Sequence, residues 1–132
     1  MKPERRFVTA IERKLPERVY RQSMFTPYSN GTPDKYYEGH SGFIWIEYKW
    51  LPKTPTQTIR FDDLLTPLQK RWLLRAHGNG VPVRVVIGCP AGAAVLEAYL
   101  DYASPDAFHW TNQEIAEWIT RVVSNPKTAR AS

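Results

Sequence analysis

The sequence predicts an α/β domain built on a mixed β-sheet, and three observations lead to this fold class. Apolar residues recur at helical spacing in three stretches, 3–15, 67–76 and 112–122. Runs of aromatic and β-branched residues lie between them, most clearly at 43–50 and 81–87. Hydrophobic residues make up 42% and charged residues 23% of the 132 residues, as in ordinary globular domains. Helices that alternate with strands are expected to pack on a central sheet.

The first helix is expected to begin at Pro3, because proline is tolerated in the first turn of a helix. Pro16 should end the helical pattern, since proline inside a helix removes a backbone hydrogen bond. Between them runs an apolar stripe at helical spacing, formed by Phe7, Val8, Ile11 and Leu15. Glu4 lies on the same stripe, so its carboxylate is expected at the edge of a core-facing surface.

Five stretches are predicted as strands or as connections between them. Residues 19–25 read as a strand, and residues 43–50 form the clearest strand in the chain. Residues 51–59, with two prolines and three threonines, are expected to be a loop. Residues 81–87 are apolar enough for a central strand. Residues 91–102 are ambiguous between helix and strand, and we favour a strand followed by a turn.

The last two helices each carry a capping box at their start. Thr66 is expected at the N-cap with Pro67 at the first helical position and Gln69 at the third. Thr111 and Glu114 have the same spacing before the final apolar stripe. In a capping box two otherwise unpaired backbone donors are satisfied, so both helix starts are well defined.

Bulk properties limit the class of protein. We expect residues 1–124 to form one domain and residues 125–132 to be a disordered tail. The only cysteine, Cys89, excludes an intrachain disulfide and a cysteine-based zinc site. No apolar run approaches the ~20 residues that cross a bilayer, and the N-terminus lacks the apolar segment of a signal peptide, so a cytoplasmic protein is expected. The net charge of +5 favours polyanionic partners such as nucleic acid.

Three residues form the constellation that can carry chemistry. Glu47 and Lys49 are two apart on a strand, so both project from one face. Asp34 stands thirteen residues before Glu47, and a hairpin would bring the two carboxylates together. A hard divalent cation with oxygen ligands would relieve their repulsion and activate water, while Lys49 would offset charge on a scissile phosphate.

Structural explanations compete with this reading at several positions. A Glu-x-Lys triplet alone is usually a solvent-facing ion pair, and Asp34 at hairpin distance is what favours a functional site. The capping role explains Gln69 without any catalytic one. The aromatic side chains of Tyr36, Tyr37 and Trp50 could stack on nucleic-acid bases or pack in the core.

Pro33-Asp34 followed by Glu47-Tyr48-Lys49 resembles the signature of the PD-(D/E)XK nucleases. A wider pattern is similar to the VRR-NUC branch of that superfamily, and small stand-alone bacteriophage members fit best. It consists of Gly31-Thr32-Pro33-Asp34, Trp45-Ile46-Glu47-Tyr48-Lys49, Leu65-Thr66-Pro67-Leu68-Gln69, Trp72 and Val83-Arg84-Val85-Val86-Ile87-Gly88. The resemblance covers roughly residues 4–88. It departs after the Pro-Asp pair, where Lys35, Tyr36 and Tyr37 stand in place of a short hydrophobic residue.

The resemblance implies a restriction-endonuclease-like fold, a mixed central sheet flanked by helices, with a Mg²⁺ site that could also take Mn²⁺. Asp34 and Glu47 would be metal ligands, and the backbone carbonyl of Tyr48 would be a further one. Glu4 matches the acidic residue of the first helix, which completes the metal environment directly or through water. Glu12 remains an alternative for that role.

The resemblance also implies that Lys49 is the catalytic lysine and that Gln69 lies beside the site. The implied activity is hydrolysis of DNA phosphodiester bonds by an endonuclease. Stand-alone members of this branch resemble the resolvases of four-way Holliday junctions and often act as homodimers, which implies a structure-selective substrate. A phage source would place it in the host cytoplasm. The alternative is a catalytically inactive DNA-binding phage protein with the same fold.

Overall fold

The computed structural model describes residues 2–24 and 31–124, and its elements alternate between helix and strand along the chain. The predicted tail at 125–132 and the end of the first predicted strand lie outside the described residues. The three α-helices are α1 (Pro3–Glu12), α2 (Pro67–Gly78) and α3 (Asn112–Ser124). The strands are β1 (Tyr20–Ser23), β2 (Lys35–Glu38), β3 (Phe43–Trp50), β4 (Ile59–Arg60), β5 (Val83–Cys89), β6 (Gly92–Glu97) and β7 (Tyr102–Ala103). Single 3₁₀ turns occur at Phe61–Asp63 and Pro105–Ala107.

A mixed sheet of five strands forms the centre of the fold, in the order β1-β2-β3-β5-β6. The β3–β5 pair is parallel and the other three pairs are antiparallel. Parallel strands need a crossover connection, and here that connection contains α2. Strands β4 and β7 form a separate two-stranded ribbon. The predicted mixed central sheet is confirmed.

Helices cover both faces of this sheet. Helices α1 and α3 contact each other and strand β3 on one face, while α2 packs over β5 on the other. Alternate residues of β3 therefore enter two different cores. Ile44, Ile46 and Tyr48 are buried with α1 and α3, whereas Trp45 packs against the core under α2. The side chains of Glu47 and Lys49 project on the α2 side.

Most predicted elements occur close to their predicted positions. Strand β3 has the predicted bounds, and β6 confirms the favoured strand in the ambiguous stretch 91–102. Helix α1 ends at Glu12, three residues before the expected Leu15. A residue that precedes proline is disfavoured in the helical conformation, so the chain leaves the helix before Pro16. Leu15 still reaches the core.

Both predicted capping boxes are present. The Thr66 hydroxyl accepts a hydrogen bond from the Gln69 backbone N–H at 3.1 Å, and the Gln69 side-chain oxygen accepts one from the Thr66 N–H at 2.9 Å. Thr111 and Glu114 make the same reciprocal pair at α3. Within residues 2–24 and 31–124, no helix combines the length and the apolar character needed to span a membrane.

Candidate active site

The β2–β3 hairpin brings Asp34 and Glu47 together. Lys35 pairs with Ile46, so Asp34, one residue before β2, lies opposite Glu47. The Asp34 Oδ2 atom accepts a hydrogen bond from the backbone N–H of Tyr48 at 3.1 Å. That bond fixes the Asp34 carboxylate against β3, which is the arrangement expected from the sequence.

Glu47 is almost completely buried, with 1% of its surface exposed. Its Oε1 atom accepts a hydrogen bond from Gln69 Nε2 at 3.2 Å and lies 3.8 Å from the Lys49 ammonium. Its Oε2 atom is buried and has no hydrogen-bond partner. A buried carboxylate oxygen without a donor is costly, and a bound cation or proton would remove that cost.

The other charged side chain buried in the described part of the chain has a different environment. Arg84 is 6% exposed and lies opposite Glu97 across the β5–β6 pair. Its Nη2 atom is 3.1 Å from Glu97 Oε1. Arg84 thus has an opposite charge directly across the sheet, whereas Glu47 faces a second carboxylate, Asp34. Glu47 does lie 3.8 Å from Lys49, but this one cation faces the two carboxylates of Asp34 and Glu47, so the ion pair alone does not balance their charge.

The two carboxylates perturb each other. Burial, and then the charge of Asp34, raise the pKa of Glu47 to about 9, although Lys49 acts to lower it. Burial also raises the pKa of Asp34, against the opposing effects of the Tyr48 N–H, Glu47 and Lys49. Because burial raises both pKa values and the charge of Asp34 further raises that of Glu47, Glu47 is expected to hold a proton at neutral pH when no cation is bound.

Gln69 performs the capping role and also contacts the site. Its side-chain oxygen is engaged by the N–H of Thr66, which turns the amide nitrogen towards Glu47. This orientation of the amide follows from the hydrogen-bond network, since a carboxylate can only accept. The hydrogen bond of the capping box thus orients the Gln69 amide nitrogen towards Glu47.

Gly31 fixes the approach of the Asp34 segment to α2. Its φ of +85° is in the left-handed region that favours glycine. A Cβ atom at this position would lie 2.3 Å from the Leu68 carbonyl oxygen and 2.6 Å from the Gln69 nitrogen. The glycine therefore lets the chain that leads to Asp34 pass directly against the first turn of α2.

The two candidate helix carboxylates occupy different environments. Glu4 is exposed on the first turn of α1, yet the pKa of its carboxyl is raised, first by partial removal from water and second by Asp34. Lys49 acts to lower it. Glu12 instead accepts a hydrogen bond from the Tyr37 hydroxyl at 2.8 Å and lies 3.4 Å from Lys35. Of the two, Glu4 is the one within electrostatic range of the Asp34–Glu47 pair.

Tyr48 contributes its backbone to the site and its side chain to the core. Its hydroxyl is buried and hydrogen-bonded to that of Tyr37 at 2.9 Å. Because the N–H and C=O of a strand residue point to the same edge, the Tyr48 carbonyl faces the side on which its N–H binds Asp34. Lys35, which was not predicted as a site residue, acts to lower the pKa of Asp34; the signal in the sequence was its position next to Asp34.

No three side chains of histidine, cysteine, aspartate or glutamate are gathered closely enough to hold a metal ion in the described part of the chain. The structure brings together two carboxylates, Asp34 and Glu47, with Lys49 and Gln69 against Glu47. Glu4 stands apart from this compact group. The candidate site is thus a carboxylate pair with a lysine, an amide and a backbone carbonyl.

Comparison with known proteins establishes the fold. No model of a known protein family matches the chain, and no curated protein sequence matches it. The structure is similar to that of Hjc, a Holliday junction resolvase from the archaeal hyperthermophile Archaeoglobus fulgidus, with a TM-score of 0.56 and 13% sequence identity. The match covers 86% of this chain and 95% of the resolvase. The chain therefore has the predicted restriction-endonuclease-like fold.

Proposed function

We propose that this protein is a divalent-metal-dependent endonuclease that hydrolyses DNA phosphodiester bonds. The observation that carries the proposal is the buried Asp34–Glu47 pair, in which Glu47 Oε2 has no donor and Lys49 lies 3.8 Å from the other oxygen. Such a group destabilises the fold unless a cation or proton compensates it. The position of the pair in this nuclease fold supports the same reading.

The residues present fit Mg²⁺ or Mn²⁺. Hard cations prefer oxygen ligands, and the site offers the carboxylates of Asp34 and Glu47 together with the carbonyl of Tyr48. A cation would also occupy the side of Glu47 that lacks a hydrogen bond. We propose that Glu4 completes this environment through water, since it is in electrostatic range but outside the compact group. When bound, the ion would lower the pKa of a water ligand and polarise a phosphoryl oxygen.

The protein's own residues have separate roles in this proposal. Lys49 orients the attacking water and offsets the negative charge that develops on the phosphate. Gln69 donates to Glu47 and so holds that carboxylate in one orientation. The Tyr48 N–H does the same for Asp34. These contacts are made before substrate arrives, so little reorganisation is needed at the moment of reaction.

For the substrate, we propose branched DNA, including four-way junctions. The motifs resemble those of stand-alone VRR-NUC nucleases of bacteriophages, and the similar archaeal structure is a Holliday junction resolvase. The net charge of +5 suits a polyanionic substrate. A homodimer would place two active sites on one junction, as symmetric cutting of two strands requires.

The experiment that tests this function offers the protein linear duplex, supercoiled plasmid and a four-way junction, with Mg²⁺, Mn²⁺ or EDTA. We expect cleavage with either metal, none with EDTA, and the fastest cutting of the junction. Binding to the junction without cleavage under any metal would favour the inactive DNA-binding alternative. Light scattering of the same sample at micromolar concentration tests the dimer, which a monomeric mass would contradict.

In the metal-free protein, stability is expected to fall as the pH rises from about 5 to about 9. The folded pKa of Glu47 lies above its unfolded value, so the folded state binds more protons in this window and loses stability as they leave. Asp34 and Glu4, whose pKa values are also raised, act in the same direction.

Urea unfolding at several pH values in EDTA measures this slope. Added Mg²⁺ should flatten it, because the cation replaces the proton that Glu47 holds. Stability that rises with pH across the same window would contradict the environment assigned to Glu47.

Replacing Gln69 with alanine is expected to lower cleavage about tenfold or more, because the orientation of Glu47 is lost. The fold should lose about 1 kcal/mol through the missing cap. The matched control is Glu114→Ala, which removes the same reciprocal bond from α3, away from the site. It should cost similar stability and leave the cleavage rate unchanged. Equal effects of both substitutions on cleavage would reduce Gln69 to a capping residue.

A further inference from the structure

Part of the sheet face that carries the candidate site is open. Helix α2 packs over β5 on this face, beside the surface formed by β1, β2 and the first half of β3. The strand register places Tyr20, Tyr36 and Phe43 on this surface, because directly paired residues of neighbouring strands share a face. Tyr20 is 53% exposed and Phe43 is 37% exposed. Large aromatic rings thus face solvent on the side of Glu47.

These rings form a continuous surface, which we call the aromatic strip: Tyr20, Tyr36, Phe43 and Trp45 on the sheet, and Trp72 on α2. Tyr36 lies at its centre, with its ring centroid 6.5 Å from that of Tyr20, 5.9 Å from Phe43 and 5.0 Å from Trp45. Trp45 continues to Trp72 at 5.2 Å. The hydroxyl of Tyr36 donates to Glu38 at 2.6 Å, which holds the central ring in place.

The aromatic strip leads into the candidate site. Phe43, Trp45, Glu47 and Lys49 project from the same face of one strand, and same-face residues follow each other at about 6.6 Å. The rings thus lie on the face that also carries the carboxylate pair, and the first turns of α2 border the step from Trp45 to Glu47 through Trp72 and Gln69. The two features belong to one surface.

Cationic groups border this surface. The Arg75 guanidinium lies over the Trp72 ring, 4.8 Å from its centroid, and is exposed. Lys49 stands at the site itself. Lys70, another basic residue of α2, is instead engaged by Asp101 at 2.7 Å and Asp62 at 3.3 Å. Arg75 and Lys49 are two cations in position to meet phosphates of a strand on this surface.

We propose that the aromatic strip binds a single-stranded segment of the DNA substrate by stacking its unpaired bases. Exposed rings on a sheet, bordered by cations, are how proteins hold single strands, since every base has a face that stacks. Bases in an intact duplex are stacked on each other and cannot reach the rings. The inference rests on the proposed nuclease function and deepens it, because among branched substrates it adds a preference for those with an unpaired segment beside the cleavage point.

The test measures binding without cleavage, in EDTA, by fluorescence anisotropy. The probes are a labelled oligothymidylate of about 12 nucleotides, an abasic strand of the same length, and the matching duplex. The variants are Tyr20→Ser and Phe43→Ser, both at exposed positions, and the double variant that combines them. The matched control is Tyr102→Ser, which removes a ring that is 59% exposed on β7, outside the strip.

We expect each strip variant to bind the oligothymidylate about fivefold more weakly or worse, and the control to bind as wild type does. The abasic strand should bind wild type about as weakly as the double variant binds the oligothymidylate. Duplex affinity should not change. Unchanged affinity for the oligothymidylate in the double variant would overturn the proposal.

A second result would overturn it in a different way. If the strip variants convert a dimer into a monomer by light scattering while single-strand affinity is kept, the strip is an interface between two copies of this chain. Because binding is measured without metal, failure of stacking is distinguishable from failure of catalysis. If the protein cuts DNA but the strip variants bind the oligothymidylate as wild type does, this inference alone is refuted. If the strip variants lose single-strand affinity but wild type cuts no DNA, the nuclease function alone is refuted.

Discussion

Glu47→Gln is expected to abolish metal-dependent cleavage and at the same time to stabilise the metal-free protein. A neutral amide is a poor ligand for Mg²⁺, and loss of a metal contribution of several kcal/mol lowers the rate by a factor of about 10³ or more. In the fold, the amide removes a buried carboxylate that has no donor on one oxygen. Its oxygen can still accept from Gln69, and its nitrogen can donate to Asp34.

The gain in stability should be about 1–3 kcal/mol near pH 8 in EDTA, because folding of the wild type at this pH requires Glu47 to take up a proton and the amide needs none. It should disappear near pH 4, where the glutamic acid is neutral in both folded and unfolded protein. Chemical denaturation at the two pH values measures it. A variant that is less stable than wild type at both pH values would contradict the assigned environment of Glu47.

The matched control for this prediction is Glu97→Gln. Glu97 lies 3.1 Å from the buried Arg84, so its neutralisation weakens an ion pair with a buried guanidinium. We expect a loss of about 1–2 kcal/mol and no change in the cleavage rate. The same chemical change would thus stabilise the protein at Glu47 and destabilise it at Glu97, which separates a functional carboxylate from a structural one.

Gly31→Ala is expected to lower the free energy of unfolding by about 3 kcal/mol. It should also lower the cleavage rate, by an amount that depends on how far Asp34 is displaced. The added methyl group would meet the backbone of α2 at Leu68, 2.3 Å from its carbonyl oxygen, and backbone atoms cannot rotate away as a side chain does. Relief requires that the segment leading to Asp34 separate from α2. Asp34 and Gln69 would then no longer bracket Glu47. Urea unfolding and the cleavage rate measure the two effects.

Gly80→Ala provides the control. Gly80 also has a positive φ, +77°, but an added Cβ atom there would meet nothing within 4 Å. The Gly80→Ala variant should therefore lose only the conformational cost of alanine in the left-handed region, about 1–2 kcal/mol of unfolding free energy, with no effect on the cleavage rate. If both substitutions destabilise the protein equally, the close approach of Gly31 to α2 does not add to the stability lost by Gly31→Ala.

The carboxylate pair could be predicted from the sequence because its cause is local. Side chains alternate along a strand, so Glu47 and Lys49 had to share a face. A short turn-rich segment between Asp34 and Glu47 permitted a hairpin, and a hairpin of that length brings the two positions together. The capping box at Thr66 is equally local, since its two hydrogen bonds join residues three apart.

The choice between Glu4 and Glu12 could not be made from α1 alone. Both carboxylates lie on helical stripes that reach the core, and the helical period gives the face of a helix but not which end approaches the site. Tertiary packing distinguishes the two carboxylates, because Tyr37 from β2 engages Glu12, whereas Glu4 is within electrostatic range of Asp34.

The aromatic strip also could not be predicted from residues that are close together in the sequence. Of the aromatic residues considered for stacking, Tyr36 lies on the strip, while Tyr37 is fully buried on the opposite face and Trp50 packs beside the core under α1. Alternation separates Tyr36 from Tyr37, but which of the two faces stays open depends on where the helices pack. The contact of Trp45 with Trp72 joins a strand to a helix that follows it by many residues.

The most direct measurement for the central claim is single-turnover cleavage of a four-way junction by wild type and Lys49→Ala, purified side by side, in Mg²⁺ and in EDTA. Lys53→Ala, at an exposed lysine of the following loop, is the matched control. We expect cleavage by wild type and the control in Mg²⁺. For Lys49→Ala we expect the cleavage rate to fall by a factor of about 10³ or more. Equal cleavage by wild type and Lys49→Ala, or none by either, would contradict an active site at Asp34, Glu47 and Lys49.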